Sequence, residues 1–214
     1  MNDLITCPAP PRLFLDGDDR HFPVGRVFCV GRNYADHAKE MGEAAEAIFF
    51  TKPASAITTA PTLPYPDETE DLHHEVELVL ALGEGGEIVA CGTGVDLTKR
   101  DLQARLKAKG APWEIAKGFD RSAPMAALRL GPPPSTGAIT LSVNGETRQS
   151  GDLDQMILPP TALLAQLARY FALQPGDLVF TGTPAGVSAL LPGDAVSARI
   201  DGLPPLDFTL TERG

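Results

Sequence analysis

The sequence predicts an α+β fold that is mostly β, with a few short helices. Glycine and proline are both abundant, 21 and 20 of 214 residues, which suits many turns between short strands better than a helical bundle. Short apolar, partly β-branched runs recur between those turns, as at Val27-Phe28-Cys29-Val30, Val79-Leu80-Ala81-Leu82 and Leu178-Val179-Phe180-Thr181. Helical spacing of apolar residues is confined to brief stretches, the clearest being Leu163, Leu164, Leu167, Ala168 and Phe171. With 43% hydrophobic and 21% charged residues the composition is that of a globular chain.

Taken in order, residues 1–24 read as an N-terminal arm or short leading hairpin, rich in Pro, Asp and Gly, ahead of one domain over 25–214. The strand 27–30 runs into Gly31-Arg32-Asn33, a turn whose Asn is placed to cap a short helix from Tyr34 to Met41, closed by Gly42. On that helix His37 and Glu40, at i and i+3, share a face. A carboxylate that orients an imidazole is what general-base catalysis on water requires, although a solvated ion pair would look the same. Ile48-Phe49-Phe50-Thr51 is a strand followed by Lys52-Pro53, and residues 58–72 form a Pro-rich, acidic loop.

His73-His74-Glu75-Val76-Glu77-Leu78 opens the next strand. Side chains at i and i+2 of a strand point to one face, so Glu75 and Glu77 aim two carboxylates at one place. In a core, two such anions need a partner, and a hard divalent cation such as Mg²⁺, Mn²⁺ or Ca²⁺ suits an all-carboxylate site. An edge strand with two Glu on its solvent face is the alternative. Gly83 to Gly86 is a turn and Glu87 to Cys91 a return strand, making a hairpin. Thr98, with Asp101 three residues on, caps a helix that Gly110 ends. Asp96 stands just before that helix, either as a third carboxylate for a metal or as a turn residue. Arg100 and Gln103 share a helix face.

The only Trp, Trp113, precedes Lys117, which has apolar neighbours on both sides and is either snorkelling or held in a site. After a loop at 129–138, Asn144-Gly145 marks a β-hairpin, and Thr161 caps the apolar helix noted above. Pro175-Gly176-Asp177 is a turn, and the strand 178–181 empties into Gly182-Thr183-Pro184-Ala185-Gly186-Val187. A Gly-rich turn there lets backbone approach a ligand. Asp194 to Ile200 and Leu206 to Leu210 are the last strands.

Charge excludes some partners. Lys plus Arg is 18 and Asp plus Glu is 28, a formal charge of −10. Nucleic acid and anionic membrane surfaces need a basic footprint instead. An anionic substrate needs a local cluster of cations. Three Cys, at 7, 29 and 91, match no disulfide or metal spacing and point to reduced thiols in the cytoplasm. Neither a signal peptide nor an apolar run long enough for a membrane helix is evident.

Each motif is weak alone, but their order is specific. The strings Val30-Gly31-Arg32-Asn33-Tyr34-Ala35-Asp36-His37, Thr51-Lys52-Pro53, His73 to Leu78, Asp96 to Gln103, Pro112-Trp113 with Ala116-Lys117-Gly118-Phe119-Asp120, Val143-Asn144-Gly145 and Thr181 to Val187 together resemble the fumarylacetoacetate hydrolase family over roughly residues 24–212. The likeness is to its small members that cleave acylpyruvates, particularly the fumarylpyruvate hydrolases of gentisate breakdown. The resemblance implies a β-roll of mixed sheets, a homodimer, and Mg²⁺ or Mn²⁺ held by Glu75, Glu77 and Asp96. It implies a catalytic dyad of His37 and Glu40, with Lys117 as oxyanion-stabilising lysine. Arg100, Gln103 and Thr183, with Arg32 and Gly182 beside them, become substrate contacts. The implied activity is hydrolysis of a C–C bond in an acylpyruvate, fumarylpyruvate giving fumarate and pyruvate. An oxaloacetate decarboxylase, a 2-oxo acid tautomerase or isomerase, and a non-catalytic metal-binding relative are the alternatives on the same fold. The stretch between Glu77 and Asp96 is shorter than the family pattern and lacks a short helix, which predicts a different route of the chain behind the site.

Overall fold

The computed structural model describes residues 4–34 and 47–213. Two sheets carry the fold. A six-stranded mixed sheet runs, edge to edge, Arg129–Leu130, Ile88–Val95, Val76–Leu82, Leu178–Phe180, Val27–Val30 and Phe49–Lys52. A five-stranded sheet runs Glu146–Asp152, Ala138–Val143, Ala195–Ile200, Leu206–Thr211 and Thr62–Pro64.

The carboxylate strand Val76–Leu82 is an inner strand of the first sheet, with all seven residues buried. One face, through Leu78, Leu80 and Leu82, packs on Ile139, Leu141 and Phe208 of the second sheet. The other, through Val79 and Ala81, packs on Leu13, Phe22, Met125 and Leu128. Covering on both faces is why this strand reads as an unbroken apolar run instead of alternating, and it rules out the edge-strand reading. Leu13 and Phe22 come from the hairpin of Arg12–Leu15 and Asp18–Pro23, so the leading segment roofs the second core.

Several expectations hold to the residue. The strand Val27–Val30 is as read. Asn144 and Gly145 both take positive φ, 52° and 82°, as an Asn-Gly hairpin requires. Gly110, at φ 63°, follows the helix Arg100–Ala108. Others differ. Thr98 is not a cap: it pairs in the short strand Thr98–Lys99, and the Asp101 carboxylate turns to Thr69 Oγ1 at 2.6 Å. Thr161 lies inside the helix Pro160–Leu167, which starts on a proline whose missing N–H costs nothing there. Phe171 lies beyond that helix, 39% exposed and against Phe28. Within the loop 58–72, Thr62–Pro64 adds a parallel strand to an edge, where proline is tolerated. The helix expected from Tyr34 onward, with His37, Glu40 and Gly42, lies outside the described residues.

The return strand runs on to Val95 instead of stopping at Cys91. Its glycines permit this. A Cβ on Gly94 would lie 2.7 Å from Val79 Cγ2 and 2.8 Å from both Met125 Sδ and Phe180 Cε1. Gly94 is also the cross-strand partner of Glu77. Gly94→Ala should therefore lower unfolding stability by about 1–3 kcal/mol, the usual cost of overpacking a core, read as a lower urea midpoint at unchanged m-value.

Candidate metal centre

The hairpin register builds the site. Val76 pairs with Val95 and Glu77 with Gly94, and one step outward Asp96 N donates to Glu75 O at 2.8 Å. Glu75, Glu77 and, two residues past Gly94, Asp96 thus point from the open end of the hairpin onto one face. Their carboxylates converge so that one oxygen from each lies within 4.8 Å of the others. The short Glu77–Asp96 connection is a plain hairpin turn, and it returns Asp96 directly opposite Glu75. Glu77 and Asp96 are 1% exposed, whereas Glu75 opens onto a cleft.

Three cations answer the three carboxylates. Lys117, at the end of the one-turn helix Glu114–Lys117, donates to Glu75 Oε2 at 2.8 Å and Asp96 Oδ2 at 2.7 Å. Arg100 donates to Glu75 Oε1 and, at 2.8 Å, to Gln103 Oε1. Lys52, unremarkable in the sequence, is fully buried with Nζ 2.8 Å from Asp96 Oδ1. Its protons, however, are aimed at Lys117 O, at Ser122 Oγ (2.9 Å), and at the carbonyls of Ser122 and Leu97. Asp96 Oδ1 is held by that ion pair alone and accepts no well-aligned hydrogen bond.

The charge balance is uneven. Burial alone would raise Glu75, but Lys117 and Arg100 outweigh it and hold its carboxyl at about 2. Burial, then Asp96 and Glu75, push Glu77 well above the ordinary carboxylate range, against one hydrogen bond of 2.6 Å from Gly182 N. Burial opposes the charge on Lys117, and Asp96 and Glu75 more than restore it, so its pKa is raised. Three hard oxygen ligands within 4.8 Å of one another, one of them short of counter-charge, fit a divalent cation.

Two polar staples fix the loop after Gly182. Asn33, whose expected helix lies outside the described residues, donates through its amide nitrogen to Thr181 O at 2.8 Å and Leu158 O at 2.9 Å, and its oxygen accepts from Leu158 N. Gly182, at φ 97°, must lack a Cβ, which would lie 2.8 Å from Asn33 Cβ. Gln149 accepts from Val76 N and pairs with His74 Nδ1 at 2.9 Å, while its Nε2 donates to Thr183 Oγ1 at 2.8 Å. Burial lowers the His74 pKa, so a neutral ring can donate to Gln149 and accept from Ser188 Oγ. Gln149 left little sequence signal because its neighbours on the strand Glu146–Asp152 are mostly exposed.

The cleft over the centre, about 670 Å³, brings together Glu75, Lys117, Arg100, Gln103, Thr183 and Arg32. Glu77, Asp96 and Gly182 stand behind them. Glu77→Gln tests the fit. In chelator the variant should melt no lower than the wild type, since it removes a like charge and keeps an acceptor for Gly182 N. At a hundredfold excess of Mn²⁺ over Kd the wild type should gain about 5–10 °C in Tm, and the variant far less.

The chain matches the family model for fumarylacetoacetate (FAA) hydrolase C-terminal over residues 26–211. It is 42% identical to the oxaloacetate tautomerase YcgM of Escherichia coli over 199 residues, covering 85% of this chain and 90% of that one. It is 36% identical to a fumarylpyruvate hydrolase of Ralstonia sp, covering 77% and 93%. The crystal structure of fumarylpyruvate hydrolase from Pseudomonas aeruginosa in complex with Mn²⁺ and pyruvate superposes with a TM-score of 0.94 at 43% identity, covering 99% of this chain and 100% of that one. With a matching family model across nearly its whole length and relatives of either activity above 30% identity, this chain belongs to the fumarylacetoacetate hydrolase family.

Proposed function

We propose that this chain is a metal-dependent hydrolase of acylpyruvates, cleaving fumarylpyruvate to fumarate and pyruvate in aromatic catabolism. The observation that carries the reading is the buried carboxylate triad at the floor of a cation-lined cleft, in a chain similar throughout to a hydrolase whose crystal structure holds Mn²⁺ and pyruvate.

In this reading Glu75, Glu77 and Asp96 hold Mg²⁺ or Mn²⁺, which supplies Lewis-acid stabilisation to a 2-oxo acid. Arg100 and Gln103 present donors to the carboxylate of the 2,4-dioxo head. Thr183, fixed by Gln149, stands on the opposite wall with Gly182 behind it and Arg32 nearby. His37, oriented by Glu40, takes a proton from water, and the hydroxide adds to the C4 carbonyl. Lys117 stands ready to stabilise the oxyanion, its charge secured by Glu75 and Asp96. The C3–C4 bond then breaks, its electron pair goes to the pyruvate half, and C3 takes up a proton. A cytoplasmic homodimer completes the reading. Three free cysteines and the exposed apolar Ile48 and Ile115 are consistent with it, and no helix among the described residues is long and apolar enough to cross a membrane.

Oxaloacetate tautomerisation is the second reading, favoured by the 42% identity to YcgM. It needs the same centre but no activated water. The discriminating experiment follows loss of fumarylpyruvate enol absorbance with Mn²⁺ and then with EDTA. Chelator-sensitive loss with equal yields of fumarate and pyruvate is expected, abolished in Glu77→Ala. His37→Ala should cut hydrolysis by about 10²–10⁴-fold, the usual share of a general base. Absence of cleavage together with fast, metal-dependent enol–keto exchange of oxaloacetate would replace the first reading by the second.

A further inference from the structure

The helix Arg100–Ala108 carries a third residue into the cleft. Arg100, Gln103 and Lys107, at i, i+3 and i+7, lie along one helix face, and all three line the cavity. Arg100 is at the carboxylate end, bonded to Glu75 and Gln103. Lys107 is two turns on, about 10 Å further along the helix axis at 1.5 Å per residue. Its ammonium lies 4.7 Å from the centroid of the Trp113 ring, and Trp113 lines the same cleft.

Lys107 stands in unusual company for a chain of charge −10. Among the described residues no carboxylate forms an ion pair with Lys107. Partial burial, then the neighbouring cations Arg100, Arg32 and Lys117 among the described residues, depress its pKa against the pull of Glu75. Crowded like charges around an open cavity are a standing cost that an anionic ligand removes.

We propose that Lys107, with Arg32, receives the distal carboxylate of a long 2-oxo dicarboxylate whose oxo-acid head sits at the carboxylate centre. The cleft thereby selects dianionic over monoanionic substrates. An extended chain of six or seven carbons spans most of the roughly 10 Å from Arg100 to Lys107, whereas the four carbons of oxaloacetate reach about half of it. The assignment of the head group rests on the acylpyruvate reading.

Trp113, the only tryptophan, reports binding through its fluorescence. With Mn²⁺ present, 2-oxoadipate and 2-oxohexanoate form a matched pair that differs in the terminal carboxylate. The wild type should bind 2-oxoadipate more tightly. Lys107→Met should narrow the ratio of the two affinities about tenfold, the effect of one charge-assisted contact, and Lys107→Arg should restore it. Equal affinities in the wild type, no binding of either ligand, or parallel weakening of both in Lys107→Met would overturn the proposal. The last outcome would mean that Lys107 merely props Trp113. In turnover, the kcat/KM ratio of fumarylpyruvate to acetylpyruvate should fall about tenfold in Lys107→Met, through KM. If the wild type cleaves neither compound, the hydrolase reading fails while the fluorescence ratio still decides the role of Lys107.

Discussion

Mutual repulsion among three carboxylates held away from water is the constraint on which the rest of this structure depends. Taking such charges out of solvent costs several kcal/mol apiece in real proteins, so the fold must supply compensation at fixed positions. It does so with Lys117 between Glu75 and Asp96, Arg100 on Glu75, and Lys52 beside Asp96. These cations come from three separate segments. Lys52 also joins two of them, because its ammonium holds the Lys117 carbonyl and both polar groups of Ser122. The compensation stops short of Glu77, whose nearest help is a backbone N–H. That shortfall leaves the centre suited to a cation instead of closing it as a finished salt-bridge network.

Rigid surroundings make the shortfall persist. A three-stranded ribbon of Thr98–Lys99, Leu72–His73 and Ala189–Leu190 ties together the chain just beyond Asp96, just before Glu75 and just after the 182–187 loop. The Asn33 and Gln149 staples hold that loop against the carboxylate strand. These contacts hold the three carboxylates and the loop in one arrangement, the preorganisation that a metal site requires. The hydrolase and tautomerase relatives of this chain are compatible with one such centre, because both reactions need an oxo acid held at a fixed electrophile.

Global and local charge have opposite signs here. The chain as a whole is acidic, yet the cleft wall shows Arg32, Arg100, Lys107 and Lys117. A field of that kind repels polyanions from most of the surface while drawing a small organic anion to one opening.

Features whose cause is local are legible in the amino-acid order alone. Two Glu at i and i+2 before an apolar run, Asn-Gly between strands, and Gly110 after a helix each follow from backbone periodicity or from φ alone, and each is in the structure. The order of motifs was enough to identify the family. Tertiary structure decided what depends on partners distant in sequence. Periodicity cannot say whether a strand is central or at an edge, and only the second sheet and the leading hairpin bury both faces of Val76–Leu82. Thr98 and Thr161 had good capping chemistry, but strand pairing and an N-terminal proline took precedence. Lys52, Gln149 and Lys107 gave little sign because a lysine or glutamine in a strand or on a helix looks like surface until its neighbours are known. Their roles arise from charges and hydrogen-bonding groups that only folding brings within reach.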